Sequence, residues 1–169
     1  MLPRAVLLSL LLLLCPRLTH AQSAASLPAP PPALLVSGGY VAFADDGRID
    51  HGMGGLGLEW RAMPHLAASG DLSYMVGPGS DRDLLLAATV RASVLRWSRP
   101  VVPYALVAAG ALWHSARVFG ADYSDVGMLL QVGGGVRIAA GRRVFIAPEF
   151  AIGGPPHIRA TLTVGVTLR

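Results

Sequence analysis

The chain has 169 residues, of which 53% are hydrophobic and 14% are charged, and its formal net charge is +4 at pH 7. Every basic residue is arginine, and no basic run or aromatic-basic platform indicates nucleic-acid binding. The one cysteine, Cys15, lies near the N-terminus, which argues against a disulfide framework in the rest of the chain. No later segment is apolar and long enough to be a membrane helix, so the surplus hydrophobicity must fill a core or face lipid through a β-barrel.

The N-terminus has the pattern of a secretory signal peptide. Arg4 supplies the positive charge, residues 5–15 form a leucine-rich apolar stretch, and small residues precede a cleavage site after Ala21. A Pro- and Ala-rich stretch follows and predicts an unstructured linker. The predicted organisation is therefore a signal peptide over residues 1–21, a disordered linker over 22–33 and one β-barrel domain over 34–169.

The remainder of the chain divides into strand-like runs separated by turn residues. The clearest run is the last, in which aliphatic residues hold every even position from Ile158 to Leu168 and polar or small residues hold the odd ones. A period of two places successive side chains on opposite faces of a strand. The predicted runs cover residues 34–44, 55–62, 66–76, 84–94, 104–114, 126–138, 144–152 and 157–169.

An even number of such runs, joined by short hairpins, predicts a closed sheet. In lipid an open sheet edge would leave backbone groups unpaired, at a cost of several kcal/mol each. The predicted fold class is therefore all-β, an eight-stranded antiparallel up-and-down transmembrane β-barrel.

One face of these runs carries charges, which the barrel would place in its lumen. The interpretation we favour is a plug of paired acids and arginines, because an eight-stranded barrel has little room for water. An ion path or proton relay is the alternative, and nothing in the spacing of Glu59 and Glu149 supports a catalytic dyad. The predicted inward set is Glu59, Arg61, Asp71, Arg91, Gln131, Arg137, Glu149 and Arg159.

The fifth run is apolar on both faces, and its orientation is the least determined. We place Tyr104, Leu106, Ala108, Gly110 and Leu112 on the outer face, followed by a polar loop over residues 116–124. Aromatic residues near strand ends are typical of membrane interfaces. The predicted belt is Trp60, Trp97 and Tyr104 at the inner rim, with Tyr74 and Trp113 at the outer rim.

With both termini in the periplasm, seven of the eight aspartates fall in the outer loops. They are candidates for contacts with divalent cations or lipopolysaccharide headgroups, and ordinary loop solubility is the favoured alternative. No metal-ligand set is assigned. The seven are Asp45, Asp46, Asp50, Asp81, Asp83, Asp122 and Asp125.

Two segments, PYALVAAGALWH at residues 103–114 and VGGGVRIAAGRRVFIAPEFAIGG at residues 132–154, resemble strands of the small eight-stranded outer-membrane β-barrel family. That family includes the transmembrane domain of outer-membrane protein A and the opacity-type barrels. The resemblance implies a monomer in the outer membrane of a Gram-negative cell, with outer-membrane lipid, lipopolysaccharide and the barrel-assembly machinery as partners. One departure is the last residue, Arg169, where the family usually has an aromatic residue.

These observations predict a non-enzymatic outer-membrane barrel with a structural or surface-interaction role and no cofactor. One alternative is a hydrolase that modifies lipid A, based on His114 and Ser115, although neighbours on a strand point to opposite faces. The other is a soluble lipocalin-like carrier of an apolar ligand, which would need its apolar faces inside.

Overall fold

The computed structural model describes residues 30–44, 47–118, 120–154 and 156–169. The predicted signal peptide, most of the predicted linker, and Asp45 and Asp46 lie outside the described residues. The described residues form the strands β1 (Ala33–Phe43), β2 (Ile49–Met63), β3 (Leu66–Val76), β4 (Arg82–Ala92), β5 (Val101–Val118), β6 (Ala121–Ala139), β7 (Val144–Gly154) and β8 (His157–Thr167).

The strands form a closed barrel in which each one pairs antiparallel with its neighbours in the chain, and β1 pairs with β8. The predicted fold class is confirmed. We call the end that holds Ala33 and Thr167 the terminal end, and the opposite end the distal end. Most strands have eleven residues, which rise about 36 Å and span about 25 Å of membrane when tilted by about 45°.

No helix in the described part of the chain is long and apolar enough to cross a membrane.

The outer wall of the barrel is apolar and the inner wall is polar wherever apolar and polar residues alternate clearly along a strand. In β8, Leu162 is 52% exposed, whereas its neighbours Thr161 and Thr163 are 7% and 5% exposed. Leu56 and Leu72, which pair across β2 and β3, are also exposed. A water-soluble protein would bury these side chains, so the wall has the arrangement expected of a barrel surrounded by lipid.

The lumen is not polar throughout, because large apolar side chains fill two layers of it. One layer lies toward the terminal end and the other toward the distal end, with charged residues between them. The terminal layer includes Leu35, Val102, Leu106, Trp97 and Phe145, and the distal layer includes Val41, Met53, Met75, Leu85, Leu112 and Leu129.

The orientation predicted for β5 is wrong. Tyr104, Leu106, Ala108 and Leu112 are buried in the lumen, while Val101 and Val107 are exposed on the wall. Because both faces of β5 are aliphatic, alternation does not indicate which face lies in the lumen. The pairing of β5 with β4 determines it instead. Leu106 pairs with Arg91, and because paired residues share a face, the inward position of Arg91 places Leu106 inside.

Two members of the predicted aromatic belt are also misplaced. Trp60, Tyr74 and Trp113 are exposed on the wall, but Trp97 and Tyr104 are 5% and 7% exposed inside the barrel. Trp97 belongs to the β4–β5 connection, whose backbone is held by a hydrogen bond from Trp97 N to Pro64 O of 3.1 Å. The connection therefore turns its indole into the terminal end of the lumen.

The polar loop predicted over residues 116–124 is instead the tip of a long hairpin. β5 and β6 stay paired as far as Val118 and Ala121. Gly120 has a φ of 82°, which glycine adopts at little cost and which allows the tight reversal. The hairpin therefore extends beyond the other strands at the distal end.

Candidate functional site

The lumen holds a group of four buried charged residues and one buried tyrosine that we call the charge layer: Glu59, Arg91, Arg137, Glu149 and Tyr104. Arg91 Nε donates to Glu149 Oε1 over 2.8 Å, and the Tyr104 hydroxyl donates to the same oxygen over 2.7 Å. Arg137 Nη1 donates to Glu59 Oε1 over 2.7 Å. Side chains in the lumen thus link β4 and β5 to β7, and β6 to β2.

The charge layer continues into hydroxyl groups on β3 and β4. Arg91 Nη1 donates to Ser69 Oγ over 2.7 Å, and Ser69 in turn donates to Asp71 Oδ2 over 2.8 Å. Thr89 also donates to Asp71 Oδ2, over 2.7 Å. Donors and acceptors are matched along this chain of contacts, as buried charges require if they are not to destabilise the fold.

Aromatic rings cover the terminal side of the charge layer. The guanidinium of Arg137 lies 3.4 Å from the centre of the Phe145 ring and 5.7 Å from that of Trp97. A guanidinium is attracted to the face of an aromatic ring. Phe145 occupies space left by Gly165, where a Cβ atom would lie 2.0 Å from the ring.

Little space remains around the charge layer. Cavities of about 10 and 20 Å³ adjoin it, lined by Glu59, Arg91 and Glu149 among others. Cavities of that size hold about one water molecule each. The packing at this level is that of a filled interior rather than a water-filled channel.

The structure brings together most of the predicted lumen residues, though not all. Glu59, Arg91, Arg137 and Glu149 belong to the charge layer, and Asp71 joins it through Ser69. Arg159 Nη2 lies 3.8 Å from Glu149 Oε2. Arg61 lies apart, with Nη2 3.4 Å from Thr167 Oγ1 near the terminal end, and Gln131 is buried without a hydrogen bond to Oε1 among the described residues.

A second group of titratable residues, which we call the distal cluster, lies at the distal mouth, with two members buried and two partly exposed: His51, Asp83, Asp81 and His114. His51 Nε2 lies 3.0 Å from Asp81 Oδ2 and 3.1 Å from Asp83 Oδ2. His114 Nδ1 lies 2.7 Å from Asp83 Oδ1 and 3.4 Å from Asp81 Oδ1. His51 and Asp83 are 2% and 3% exposed, so both lie almost entirely out of solvent.

The β3–β4 turn holds Asp81 in this position. Gly77 N donates to Asp81 O over 3.0 Å, and Asp81 N donates to Pro78 O over 3.1 Å. The side chain of Arg82 donates to Gly79 O over 3.2 Å. A Cβ atom on Gly77 would lie 2.5 Å from His51 Nε2 and 2.8 Å from Asp81 Oδ2, so glycine leaves the space in which the imidazole and carboxylate meet.

The distal cluster opens into a cavity of about 410 Å³ between the strand ends and the long hairpin. Asp125, which pairs with His114 across β5 and β6, lines the same cavity. Asp81, Asp83 and Asp125 were among the predicted cation contacts, whereas His51 was not predicted and His114 was considered only beside Ser115. Alternation could have identified His51 as an inward residue, because it is an odd-numbered residue of the strand that sends Glu59 inward. It was missed because the predicted run began six residues after the observed start of β2.

The other predicted distal aspartates lie outside this cluster. Asp50 is on the outer wall, where Tyr40 donates a hydrogen bond to it and Arg48 Nε donates another over 2.8 Å. Asp122 is on the long hairpin, 2.9 Å from Arg117 Nε.

His114 and Ser115 do not form a pair. His114 faces the lumen and contacts Asp83, whereas the Ser115 hydroxyl donates to the backbone oxygen of Arg82 over 3.2 Å. The two side chains leave opposite faces of β5, as expected of neighbours on a strand. A base cannot take a proton from a hydroxyl on the other face of the same strand.

Comparison with solved structures identifies the same fold in other proteins. Neisserial surface protein A is 14% identical, with a TM-score of 0.68 over 81% of this chain and 96% of that one. The N-terminal β-barrel domain of OprF from Pseudomonas aeruginosa is 12% identical, with a TM-score of 0.65 over 83% and 99%. The outer-membrane enzyme PagL is 15% identical, with a TM-score of 0.51 over 80% and 99%.

No family model and no curated protein sequence matches the chain. The structural neighbours are small eight-stranded outer-membrane β-barrels, and this chain has their fold. They include both a surface protein and an enzyme, so the fold by itself assigns no activity.

Proposed function

We propose that this chain is a non-enzymatic outer-membrane β-barrel with a structural or surface-contact role, whose lumen is closed by paired charges. Outer-membrane lipid and lipopolysaccharide surround it, the barrel-assembly machinery inserts it, and it acts as a monomer with its distal end outward. The observation that carries this proposal is the inverted wall: exposed aliphatic side chains outside and the charge layer within.

The first test concerns the membrane. The full chain is expressed in a Gram-negative host, the envelope is fractionated, and gel mobility is compared before and after boiling. We expect the protein in the outer-membrane fraction with a heat-dependent shift, because a closed barrel stays folded in detergent until heated. A soluble periplasmic protein without a shift would contradict the proposal and favour a lipocalin-like carrier.

The second test concerns the closed lumen. In planar bilayers we expect no steady conductance, because buried side chains fill the level of Arg91 and Glu149. The matched variant is Arg91→Ala with Glu149→Ala, which removes this pair and should open a measurable path. Steady conductance by the unaltered chain would contradict a closed lumen and favour the alternative of an ion path.

A third test addresses the hydrolase alternative. Lipid A from cells that express the chain is compared with lipid A from cells that express Ser115→Ala. We expect both to be unmodified, because Ser115 and His114 lie on opposite faces of β5. Lipid A altered by the unchanged chain and intact with the variant would overturn the non-enzymatic role.

A further inference from the structure

The distal cluster differs from a simple set of ion pairs, because its most buried member has no satisfied hydrogen bond. His51 is 2% exposed, yet neither Nδ1 nor Nε2 makes a hydrogen bond among the described residues. Nε2 instead lies nearly equidistant from oxygens of two carboxylates. A protonated imidazole would direct its N–H along a line to one acceptor, and the geometry here does not do so.

We propose that His51, Asp81 and Asp83 form a binding site for a divalent transition-metal ion such as Zn²⁺, at the distal mouth of the barrel. His51 Nε2, Asp81 Oδ2 and Asp83 Oδ2 are the ligand atoms. One potential ligand atom from each of the three residues lies within 4.8 Å of the others. Ligand atoms about 2.1 Å from a common ion lie about 3.0–3.5 Å apart, and the two distances from His51 Nε2, 3.0 and 3.1 Å, match this separation.

The charge of the cluster also calls for a cation. Asp81 and Asp83 are mostly buried, and the ion pairs of their carboxylates in the described part of the chain are all with histidine. A metal ion supplies the positive charge that two buried carboxylates need and takes the lone pair that Nε2 offers. Imidazole together with carboxylate favours zinc and similar ions over calcium or magnesium, which prefer oxygen ligands alone.

The surroundings of the three ligands resemble the support that metal sites require. His114 Nδ1 contacts Asp83 Oδ1 over 2.7 Å, which orients the carboxylate so that its other oxygen faces His51. Gly77 leaves the space in which the ligands meet, and the turn that contains it holds Asp81. The cavity of about 410 Å³ gives an ion an entry path and leaves room for water to complete the coordination.

The test measures zinc binding by the full chain, extracted in detergent and freed of metal by a chelator. Zn²⁺ is titrated in competition with a chromophoric chelator, and the heat-dependent gel shift confirms that each variant is folded. We expect one Zn²⁺ per chain, with His51→Gln and Asp83→Asn each weakening binding by more than about 10-fold, as removal of a ligand should exceed the loss seen for a supporting residue. Two variants at different ligands guard against one that fails to fold.

The matched control is His65→Gln. His65 lies at the terminal end, where Nδ1 is 3.2 Å from Ser93 O, so the variant should bind zinc like the unaltered chain. Ca²⁺ alone serves as a second probe and should bind far more weakly. Absence of zinc binding, or equal binding by His51→Gln and the unaltered chain, would overturn the proposal. Ca²⁺ binding as tight as Zn²⁺ binding would also overturn it, because the site would then be an ordinary acidic cluster.

Discussion

The charge layer and the distal cluster are both buried groups of charge inside one barrel, but their chemistry differs. In the charge layer, arginine forks donate to glutamates in good hydrogen-bond geometry, with Arg91 Nε 2.8 Å from Glu149 Oε1. In the distal cluster two aspartates face histidines, and the imidazole of His51 makes no hydrogen bond to the described residues. The first group borders voids no larger than a water molecule, whereas the second borders an open cavity.

Buried charge in a narrow barrel can therefore have two roles. Arginine remains charged and can bond two carboxylate oxygens at once, so it completes a rigid filling. Histidine offers a lone pair that a metal ion can take. We therefore expect substitutions in the charge layer to change stability, and those in the distal cluster to change binding.

The largest expected effect follows Arg91→Met. The variant leaves Glu149 and Ser69 without the guanidinium that bonds both. Removing one partner of a buried ion pair costs about 3–5 kcal/mol, which urea unfolding of the barrel in micelles would measure. Adding Glu149→Gln to Arg91→Met should recover part of the loss, because the uncompensated carboxylate is then absent.

The control for this prediction is Arg117→Met, which breaks an exposed ion pair on the long hairpin. The side chains of Arg117 and Asp122 are 63% and 82% exposed, and exposed pairs contribute about 0–1 kcal/mol. If Arg91→Met and Arg117→Met lowered the free energy of unfolding equally, the charge layer would not be a dry filling of the lumen.

Tyr104→Phe should have the next largest effect. It removes the hydroxyl that donates to Glu149 Oε1 over 2.7 Å while keeping the ring within the lumen. Hydrogen bonds to charged groups contribute about 1.5–3 kcal/mol, and urea unfolding would again report the loss. Tyr74→Phe, at a residue exposed on the outer wall, is the matched control and should change little. An equal effect of the two variants would contradict the inward position of Tyr104.

Asp81→Asn should act in the opposite direction. In the presence of a chelator it removes one of two carboxylates that face each other near His51, so we expect a gain of about 0.5–2 kcal/mol in the free energy of unfolding. With Zn²⁺ added, the unaltered chain should become the more stable of the two, because a ligand bound only by the folded state stabilises it. If Asp81→Asn instead destabilised the protein in the presence of chelator, the distal cluster would stabilise the fold as the charge layer does, which would contradict this prediction.

Much of the fold was predictable because the alternation within each strand and the turns between strands are local properties of the sequence. The period of two predicts β8, and the residues Gly77, Pro78 and Gly79 between the third and fourth runs are typical of a turn. Where both faces of a strand are aliphatic, as in β5, the alternation carries no information, and only its pairing with β4 sets its face. Trp97 was misplaced for a related reason, since nothing local indicates that a loop turns an indole into the lumen.

The candidate sites were also predictable from the sequence only in part. The inward positions of Glu59, Arg91 and Glu149 follow from alternation within their own strands, but which arginine meets which glutamate depends on the tilt and stagger of the closed sheet. The distal cluster depends on it still more, because His51, Asp81 and His114 come from widely separated parts of the chain.

By itself the sequence determined that this protein is a closed barrel of eight strands with an aliphatic wall, because a two-residue period is read one strand at a time and short hairpins allow little choice of partner. Only the tertiary structure decided the face of β5, the two apolar layers of the lumen and the meeting of His51 with two aspartates. These features depend on contacts across the barrel, and the distance between opposite walls is a property of the closed sheet rather than of any strand.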